Sequence, residues 1–126
     1  MPELPEVETI VRYLREGSGQ SMAGLPGSRV EACQVLWPRA LVSLTPQEFK
    51  RRILGQTITS ISRRGKFLVF SLSSDTLLFH LRMSGDMVVE NALDEQGRPL
   101  PLRKHDRLVL DFTGGRRLAF NDTRKF

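Results

Sequence analysis

Residues 57–82 read TITSISRRGKFLVFSLSSDTLLFHLR, and this stretch decides the fold. Its apolar runs are separated by two turn signals, Arg64-Gly65 and Ser73-Ser74-Asp75. Short apolar runs bounded by glycine and serine are typical of successive strands joined by tight turns. We therefore predict strands over about 57–63, 67–73 and 76–82.

Outside this stretch the same pattern recurs. Gly114-Gly115 separates two further apolar runs near the end of the chain, and glycine pairs of this kind mark turns. The additional strands that we predict cover about 28–36, 86–90, 106–112 and 116–121.

Two other segments predict helices. The first has an apolar stripe with helical spacing at Val7, Ile10, Val11 and Leu14, which predicts a helix over about 5–16. Glu8 and Arg12 in this helix are spaced for an i, i+4 ion pair. The second begins at Thr45-Pro46-Gln47-Glu48, a capping-box pattern with proline at the first helical position, and predicts a short helix over about 46–54.

These elements together indicate an α+β fold, in which an antiparallel β-sandwich is flanked by an N-terminal helix and a second short helix. The length of 126 residues is typical of one domain with its own core. Residues 17–27 contain four glycines and a proline, so we expect a mobile loop there. Residues 91–103 are expected to form an exposed connection.

The net charge of +5 is unevenly distributed. Residues 98–126 contain 8 Lys or Arg and 3 Asp or Glu, whereas residues 1–97 contain 11 of each kind. A basic final quarter in a protein with a pI near 10.1 favours an anionic partner, and nucleic acid is the commonest one.

The sequence contains no apolar run near the ~20 residues of a membrane span and does not begin with a basic-then-apolar signal segment. We therefore expect a cytoplasmic protein that has no membrane partner.

Two residues have structural interpretations. Cys33 is the single cysteine, which excludes an internal disulfide and a cysteine-rich zinc site within these residues, and its apolar neighbours predict a buried, inert thiol. Asp106 follows His105 and is close to several arginines, so a hydrogen bond with His105 and an ion pair with an arginine are both open.

The first eight residues, MPELPEVE, suggest chemistry at the amino terminus. If Met1 is removed, Pro2 becomes a secondary amine, and an α-amine has a pKa of roughly 7.7–8.0 against about 10.4 for lysine. Such an amine can form a Schiff base with a sugar carbon, and Glu3 could exchange protons beside it. The alternative is that Pro2 only begins a helix whose dipole the glutamates complement. With Met1 retained, the Pro2 nitrogen is an amide and cannot attack.

Five motifs in order, MPELPEVE (1–8), RRGKFLVF (63–70), HLRMSG (80–85), KHDRLVLDF (104–112) and NDTRKF (121–126), resemble the formamidopyrimidine-DNA glycosylase family, which includes endonuclease VIII. The resemblance implies an enzyme that excises oxidised purines, such as 8-oxoguanine and formamidopyrimidines, and then cuts the DNA backbone. It also implies an amino-terminal β-sandwich domain with a helix beside the catalytic end.

The resemblance implies four catalytic residues. Pro2 is then the nucleophile and Glu3 the carboxylate that assists opening of the sugar ring. Glu6 lies near the active site, although a simple helix-start charge is an equal alternative. Lys66 reaches a phosphate near the lesion, although a lysine at a turn is ordinarily only solvated. Arg63 and Arg64 could add phosphate attraction.

Five further residues are implied to contact DNA. His80 matches a phosphate contact, and Met83 matches the side chain that fills the hole left by the rotated nucleotide. His105 lies toward the DNA. Arg124 pairs with the orphaned base, and Phe126 is the aromatic wedge between stacked bases. Packing or turn roles are the alternatives for the histidines and the methionine.

Members of the family continue into a helix–two-turn–helix element and a cysteine zinc finger. We therefore expect residues 1–126 to be the amino-terminal catalytic domain, without a cofactor of its own and inactive alone, since zinc belongs to that later part. The expected partner is double-stranded damaged DNA, bound by a monomer.

Two alternatives remain open for the function. One is a DNA-binding module without catalysis, and the other is an endonuclease VIII-like glycosylase for oxidised pyrimidines. Leu4 and Val7-Glu8 favour the oxidised-purine branch.

Overall fold

The structure, a computed structural model, describes residues 4–17, 23–81 and 85–123. The predicted α+β class is confirmed, with strands in two antiparallel sheets. Each predicted helix and strand is found within two residues of its predicted bounds. In chain order the elements are α1 (Leu4–Glu16), β1 (Val30–Val35), a 3-10 helix (Pro38–Ala40), α2 (Pro46–Ile53), β2 (Ile58–Arg64), β3 (Phe67–Leu72), β4 (Thr76–His80), β5 (Gly85–Asn91), β6 (Asp106–Phe112) and β7 (Arg116–Asp122).

The chain divides into two compact units. The first unit comprises the described residues of 1–28 and 56–85, and the second those of 29–55 and 86–126. Neither helix in the described ranges combines the length and apolar character that a membrane span needs.

The first unit is a three-stranded sheet of order β2-β3-β4 with α1 packed mainly against β2. The predicted helix stripe is confirmed at Val7, Val11 and Leu14, which are each only 1% exposed, whereas Ile10 is partly buried. Removing such side chains from water is the main stabilising contribution of an amphipathic helix. The other buried apolar residues of this unit are Leu25, Ile58, Ile61, Leu68, Phe70, Phe79 and Leu81.

The segment that follows α1 is anchored at its described end. Leu25 is fully buried, and its amide donates to the carbonyl of Leu14 at 2.9 Å. Gly24 lies against the Arg15 carbonyl so closely that any side chain would collide with it. At Gly24 and Leu25 the predicted loop over 17–27 therefore packs against the end of α1, since glycine permits this close backbone approach. The mobility expected of the loop stays a prediction.

The turn between β2 and β3 is displaced by one residue from the predicted one. Arg64 is the last residue of β2 and pairs with Phe67, which leaves Gly65 and Lys66 as the turn. Gly65 has a φ of +59°. Two-residue hairpin turns require a positive φ at the first central position, and glycine adopts it without strain.

The second unit is a sheet of order β1-β6-β7-β5, with α2 packed against β1. Buried residues are consecutive along the central strands β6 and β7 rather than alternating, so both faces of this pair are covered. On β1, Cys33 is 3% exposed, and burial raises the pKa of its thiol to about 11. The predicted burial of this cysteine is confirmed.

One ion pair joins β6 and β7 near the Gly114-Gly115 turn. Arg117 lies opposite Asp111, and its Nε donates to Asp111 Oδ1 at 2.6 Å. This hydrogen bond raises the pKa of Arg117. Arg117 Nη1 also donates to the Leu100 carbonyl at 2.9 Å, so the largely exposed connection over 91–103 is attached to the sheet.

The predicted capping box of α2 is confirmed. Thr45 Oγ1 accepts from the Glu48 amide at 3.1 Å, and Glu48 Oε1 accepts from the Thr45 amide at 3.3 Å. These bonds satisfy amides that the first helical turn leaves without partners. The buried side chains of α2 are Phe49 and Ile53.

The capping box gives a stability prediction. Replacement Thr45→Ala removes the acceptor for the Glu48 amide and should lower the free energy of unfolding by about 1 kcal/mol. The change is measured by urea denaturation. Thr45→Ser keeps the hydroxyl and serves as the control, so equal losses in both variants would contradict a capping role.

Candidate nucleic-acid interface

Three side chains form a row across one end of the first unit's sheet. Arg64 pairs with Phe67, and Phe67 pairs with His80. Directly paired residues on antiparallel strands have their side chains on the same face. The rings of Phe67 and His80 are in contact, with centroids 5.0 Å apart.

This row lies on the face opposite the buried residues of the sheet. Leu68 and Phe79, which alternate with it along β3 and β4, are buried, whereas Phe67 is 42% exposed. The side chain of Arg64 is exposed and has no hydrogen bond or ion pair within the part of the chain that the structure describes. A cation, an aromatic ring and an imidazole therefore occupy an accessible surface.

Lys66 lies in the turn at the same end of the sheet, directly before Phe67. The structure thus brings together two residues that the sequence placed in separate motifs, Lys66 and His80. Cations attract phosphates, and an exposed aromatic ring offers a stacking surface to a sugar or base. This end of the sheet is chemically suited to a nucleic-acid strand.

The two consecutive arginines of β2 have different surroundings. Arg63 Nε donates to Glu8 Oε2 at 2.8 Å, and Arg63 Nη1 donates to the Gly65 carbonyl at 3.1 Å. The hydrogen bond from Arg63 is the main cause that lowers the pKa of Glu8. The expected ion pair of Glu8 with Arg12 is therefore replaced by one with Arg63, because β2 brings a second guanidinium beside the helix.

Glu6 lies in the first turn of α1 and is exposed. It belongs to the same helix as Glu8, which is bonded to the strand that leads into the Lys66 turn. The other predicted residues, Pro2, Glu3, Met83, Arg124 and Phe126, lie outside the described residues, and their roles stay predictions.

In the second unit, His105 immediately precedes β6 and is partly buried. Its carbonyl accepts a hydrogen bond from the Asp122 amide at 3.0 Å. A predicted DNA-contacting residue is thus bonded through its backbone to the end of β7, two residues before Arg124 in the sequence.

Asp106 organises the polar contacts beside His105. Its carboxylate is 3% exposed and accepts from the Arg103 amide at 2.8 Å and from Asn121 Nδ2 at 3.0 Å. The Arg103 guanidinium lies 4.0 Å away. Of the two partners predicted for Asp106, His105 and a neighbouring arginine, the structure shows an ion pair with the arginine, Arg103.

The sequence analysis did not identify two further residues that form hydrogen bonds in this region, Asn121 and Arg107. Arg107 is buried, and its Nε donates to the Asp122 carbonyl at 3.0 Å. The sequence did contain a feature that could have identified them. The Gly114-Gly115 turn between β6 and β7 places the start of β6 opposite the end of β7. Polar residues at both ends then become candidate partners.

Among the residues described, no cluster of three or more His, Cys, Asp or Glu side chains is placed to hold a metal ion.

Comparison with known proteins gives a match over the whole chain. Residues 1–126 match the family model of the formamidopyrimidine-DNA glycosylase N-terminal domain. The chain belongs to this family. Curated glycosylases of that name from Geobacillus kaustophilus and Bacillus licheniformis are 41% and 43% identical to the whole chain. The chain spans 42% of the length of each of these relatives.

Solved structures of the Lactococcus lactis glycosylase are similar to this domain. One, bound non-covalently to DNA containing an AP site, has a TM-score of 0.80 and 36% identity over 99% of this chain and 43% of its own. Another, with DNA containing FAPY-dG, has a TM-score of 0.79 and 35% identity over 98% of this chain and 42% of its own. A third contains an oxidised pyrimidine in DNA, with a TM-score of 0.79 and 36% identity over 99% and 42% of the two chains.

The Asp106 contacts give a prediction for this glycosylase domain. In Asp106→Asn an amide nitrogen faces one of the two donors, which leaves a partly buried donor without an acceptor. Such a group costs about 1–3 kcal/mol, so we expect a corresponding loss of unfolding free energy in chemical denaturation. Asp86→Asn is the control, since Asp86 is exposed and its acceptor role to the Met87 amide survives in asparagine. An equal loss in the two variants would contradict the role given to Asp106.

Proposed function

We propose that this chain is the amino-terminal catalytic domain of a DNA glycosylase with AP lyase activity. Its substrates are oxidised purines, including 8-oxoguanine and formamidopyrimidines, in double-stranded DNA. The observation that carries the proposal is the family match over all 126 residues, supported by a similar glycosylase crystallised with FAPY-dG in DNA. The activity is proposed for the domain together with the parts that its relatives have beyond the matched region, where the helix–two-turn–helix element and the zinc finger are expected.

In the proposed reaction Pro2, once Met1 is removed, attacks the sugar carbon that holds the damaged base. The new N–C bond forms as the bond to the base breaks, and the base departs with that electron pair. The amine nitrogen loses its proton, which balances the proton that the departing base takes up. The sugar ring then opens as its oxygen takes a proton from Glu3 and the amine becomes an iminium. Loss of a proton from the neighbouring carbon expels the 3′ phosphate and cuts the strand.

The described residues support DNA binding by the first unit. Arg64 and Lys66 supply positive charge at the β2–β3 turn, and Phe67 and His80 continue the same surface across β3 and β4. We assign phosphate contacts to Lys66 and His80, and a place beside the active site to Glu6. In the second unit, His105 is assigned a position toward the DNA.

Oxidised pyrimidines are a second candidate substrate class. The support is a similar glycosylase that was crystallised with an oxidised pyrimidine in its DNA, although its name refers to formamidopyrimidine. Comparing excision of the two lesion classes from matched duplexes decides between them.

The nucleophile can be tested by covalent trapping. In the full-length protein with Met1 removed, borohydride should attach abasic-site DNA to Pro2, because reduction fixes an iminium as a stable amine. Peptide mapping by mass spectrometry locates the attachment. Lys66→Ala should still be trapped at Pro2 and is the control, whereas attachment at Lys66 with Pro2 unmodified would refute the assignment.

The insertion residues can be separated from the chemistry. Met83→Ala and Phe126→Ala in the full-length protein should slow single-turnover excision from duplex DNA by about tenfold or more, since rotating a base out costs a few kcal/mol. Cleavage at a preformed abasic site, where no base has to be moved, should be much less affected. Glu3→Gln should instead impair both reactions. Equal losses in both assays for the Met83 and Phe126 variants would contradict the wedge.

A further inference from the structure

We propose that Arg63 is a positioning residue that holds the Lys66 turn against α1, the helix that directly follows Pro2 and Glu3 in the sequence. Its neighbour Arg64 is then the arginine of this pair that is available to a DNA phosphate. This inference rests on the proposed function, because it concerns the relative placement of the nucleophile's helix and the lysine.

The geometry of Arg63 joins two elements through two different nitrogens. Nε bonds the carboxylate of Glu8 on α1, and Nη1 bonds the carbonyl of Gly65 in the turn. A guanidinium carries several donors in a fixed planar arrangement, whereas lysine has one nitrogen on a flexible stem. Arginine can therefore fix the distance between helix and turn, and lysine can satisfy either partner without fixing both.

Alternation along β2 separates the tasks of the two arginines. Successive side chains of a strand lie on opposite faces. Arg63 pairs with Leu68 on the face of the buried residues, whereas Arg64 pairs with Phe67 on the exposed face. The charge of Arg63 is balanced by Glu8, and that of Arg64 has no ionic partner within the described ranges.

The positioning role of the Arg63–Glu8 contact can be measured separately from its effect on folding. The side chains of Arg63 and Glu8 are 33% and 42% exposed. Ion pairs with this much solvent around them add little to stability. Loss of Arg63 should therefore leave the domain folded while Lys66 and the start of α1 lose their fixed spacing. Small displacements of catalytic groups can reduce a rate by up to about a hundredfold.

The test uses Arg63→Ala, Arg63→Lys and Glu8→Gln in the full-length protein, with Arg51→Ala on α2 as a matched loss of one exposed positive charge. Three quantities are measured: the single-turnover rate of abasic-site cleavage at saturating protein, the DNA dissociation constant as a function of salt, and the melting temperature. Borohydride trapping of the unsubstituted protein is run alongside.

We expect Arg63→Ala to slow the saturated rate by about ten- to a hundredfold, with the salt dependence of binding and the melting temperature close to those of Arg51→Ala. Arg63→Lys should recover part of the rate. Glu8→Gln should lose less than Arg63→Ala, because its amide oxygen still accepts from Nε. In a double variant, Glu8→Gln should add little to the loss from Arg63→Ala, since the two residues act through one contact.

Three results would overturn the inference. Arg63 is a DNA ligand if Arg63→Ala weakens DNA binding and leaves the saturated rate unchanged. The slope of the logarithm of the binding constant against the logarithm of the salt concentration would then fall by about one phosphate contact. If Arg63→Ala lowers only the melting temperature, its role is structural. If it does not fold, an unchanged rate in both Arg63→Lys and Glu8→Gln refutes positioning. Absence of a Pro2 adduct in the unsubstituted protein would instead refute the proposed function, and the role of Arg63 with it.

Discussion

The register of the β2–β3 hairpin is the constraint on which the candidate interface depends. A shift of one residue in an antiparallel pair would move every side chain of a strand to the other face. The Gly65-Lys66 turn pairs Arg64 with Phe67, and the next pairing places His80 beside that ring. In this register Arg63 pairs with the buried Leu68, and Arg64 shares the accessible face with Phe67. The positive φ of Gly65 thus permits the two-residue turn that holds Arg64, Phe67 and His80 in one row.

The second unit fixes its geometry with buried polar groups instead. Asp106, Arg107 and Arg117 lie in its central strands and are each at most 6% exposed. Burying charged groups is costly unless they are paired and hydrogen-bonded. Asp106 and Arg117 have both an ionic partner and hydrogen bonds, and Arg107 donates to the Asp122 carbonyl. These bonds also depend on the register, because a wrong register between β6 and β7 would leave donors and acceptors unpaired. Such a network defines where the chain leaves β7, immediately before residues 124–126.

The sequence predicted those features that depend on local patterns, and missed those that depend on tertiary pairing. The stripe of α1 and the Thr45 capping box involve residues within four positions of each other, and both are confirmed. The predicted partner of Glu8, Arg12, was wrong. The observed partner, Arg63, is 55 residues away along the chain, and the packing of β2 beside α1 brings it to Glu8. Lys66 and His80 came from separate motifs, and the hairpin register was needed to place them at one end of a sheet. The roles of the site residues themselves come from family resemblance, which a fold does not test.

The distribution of charge shows why counting residues misplaces an interface. By composition the whole positive excess lies in residues 98–126, yet several cations of that segment have internal partners: Arg98 with Asp94, Arg103 with Glu90, and Arg117 with Asp111. The first unit contributes an excess of only one positive charge by count, with 6 Lys or Arg and 5 Asp or Glu, but it exposes Arg64 with no such partner among the described residues. A phosphate responds to charge that is exposed and uncompensated, and each contact releases its own counterions. The positive charge that a phosphate would meet is therefore set by the pairing that the fold imposes, and a count of charged residues along the sequence does not locate it.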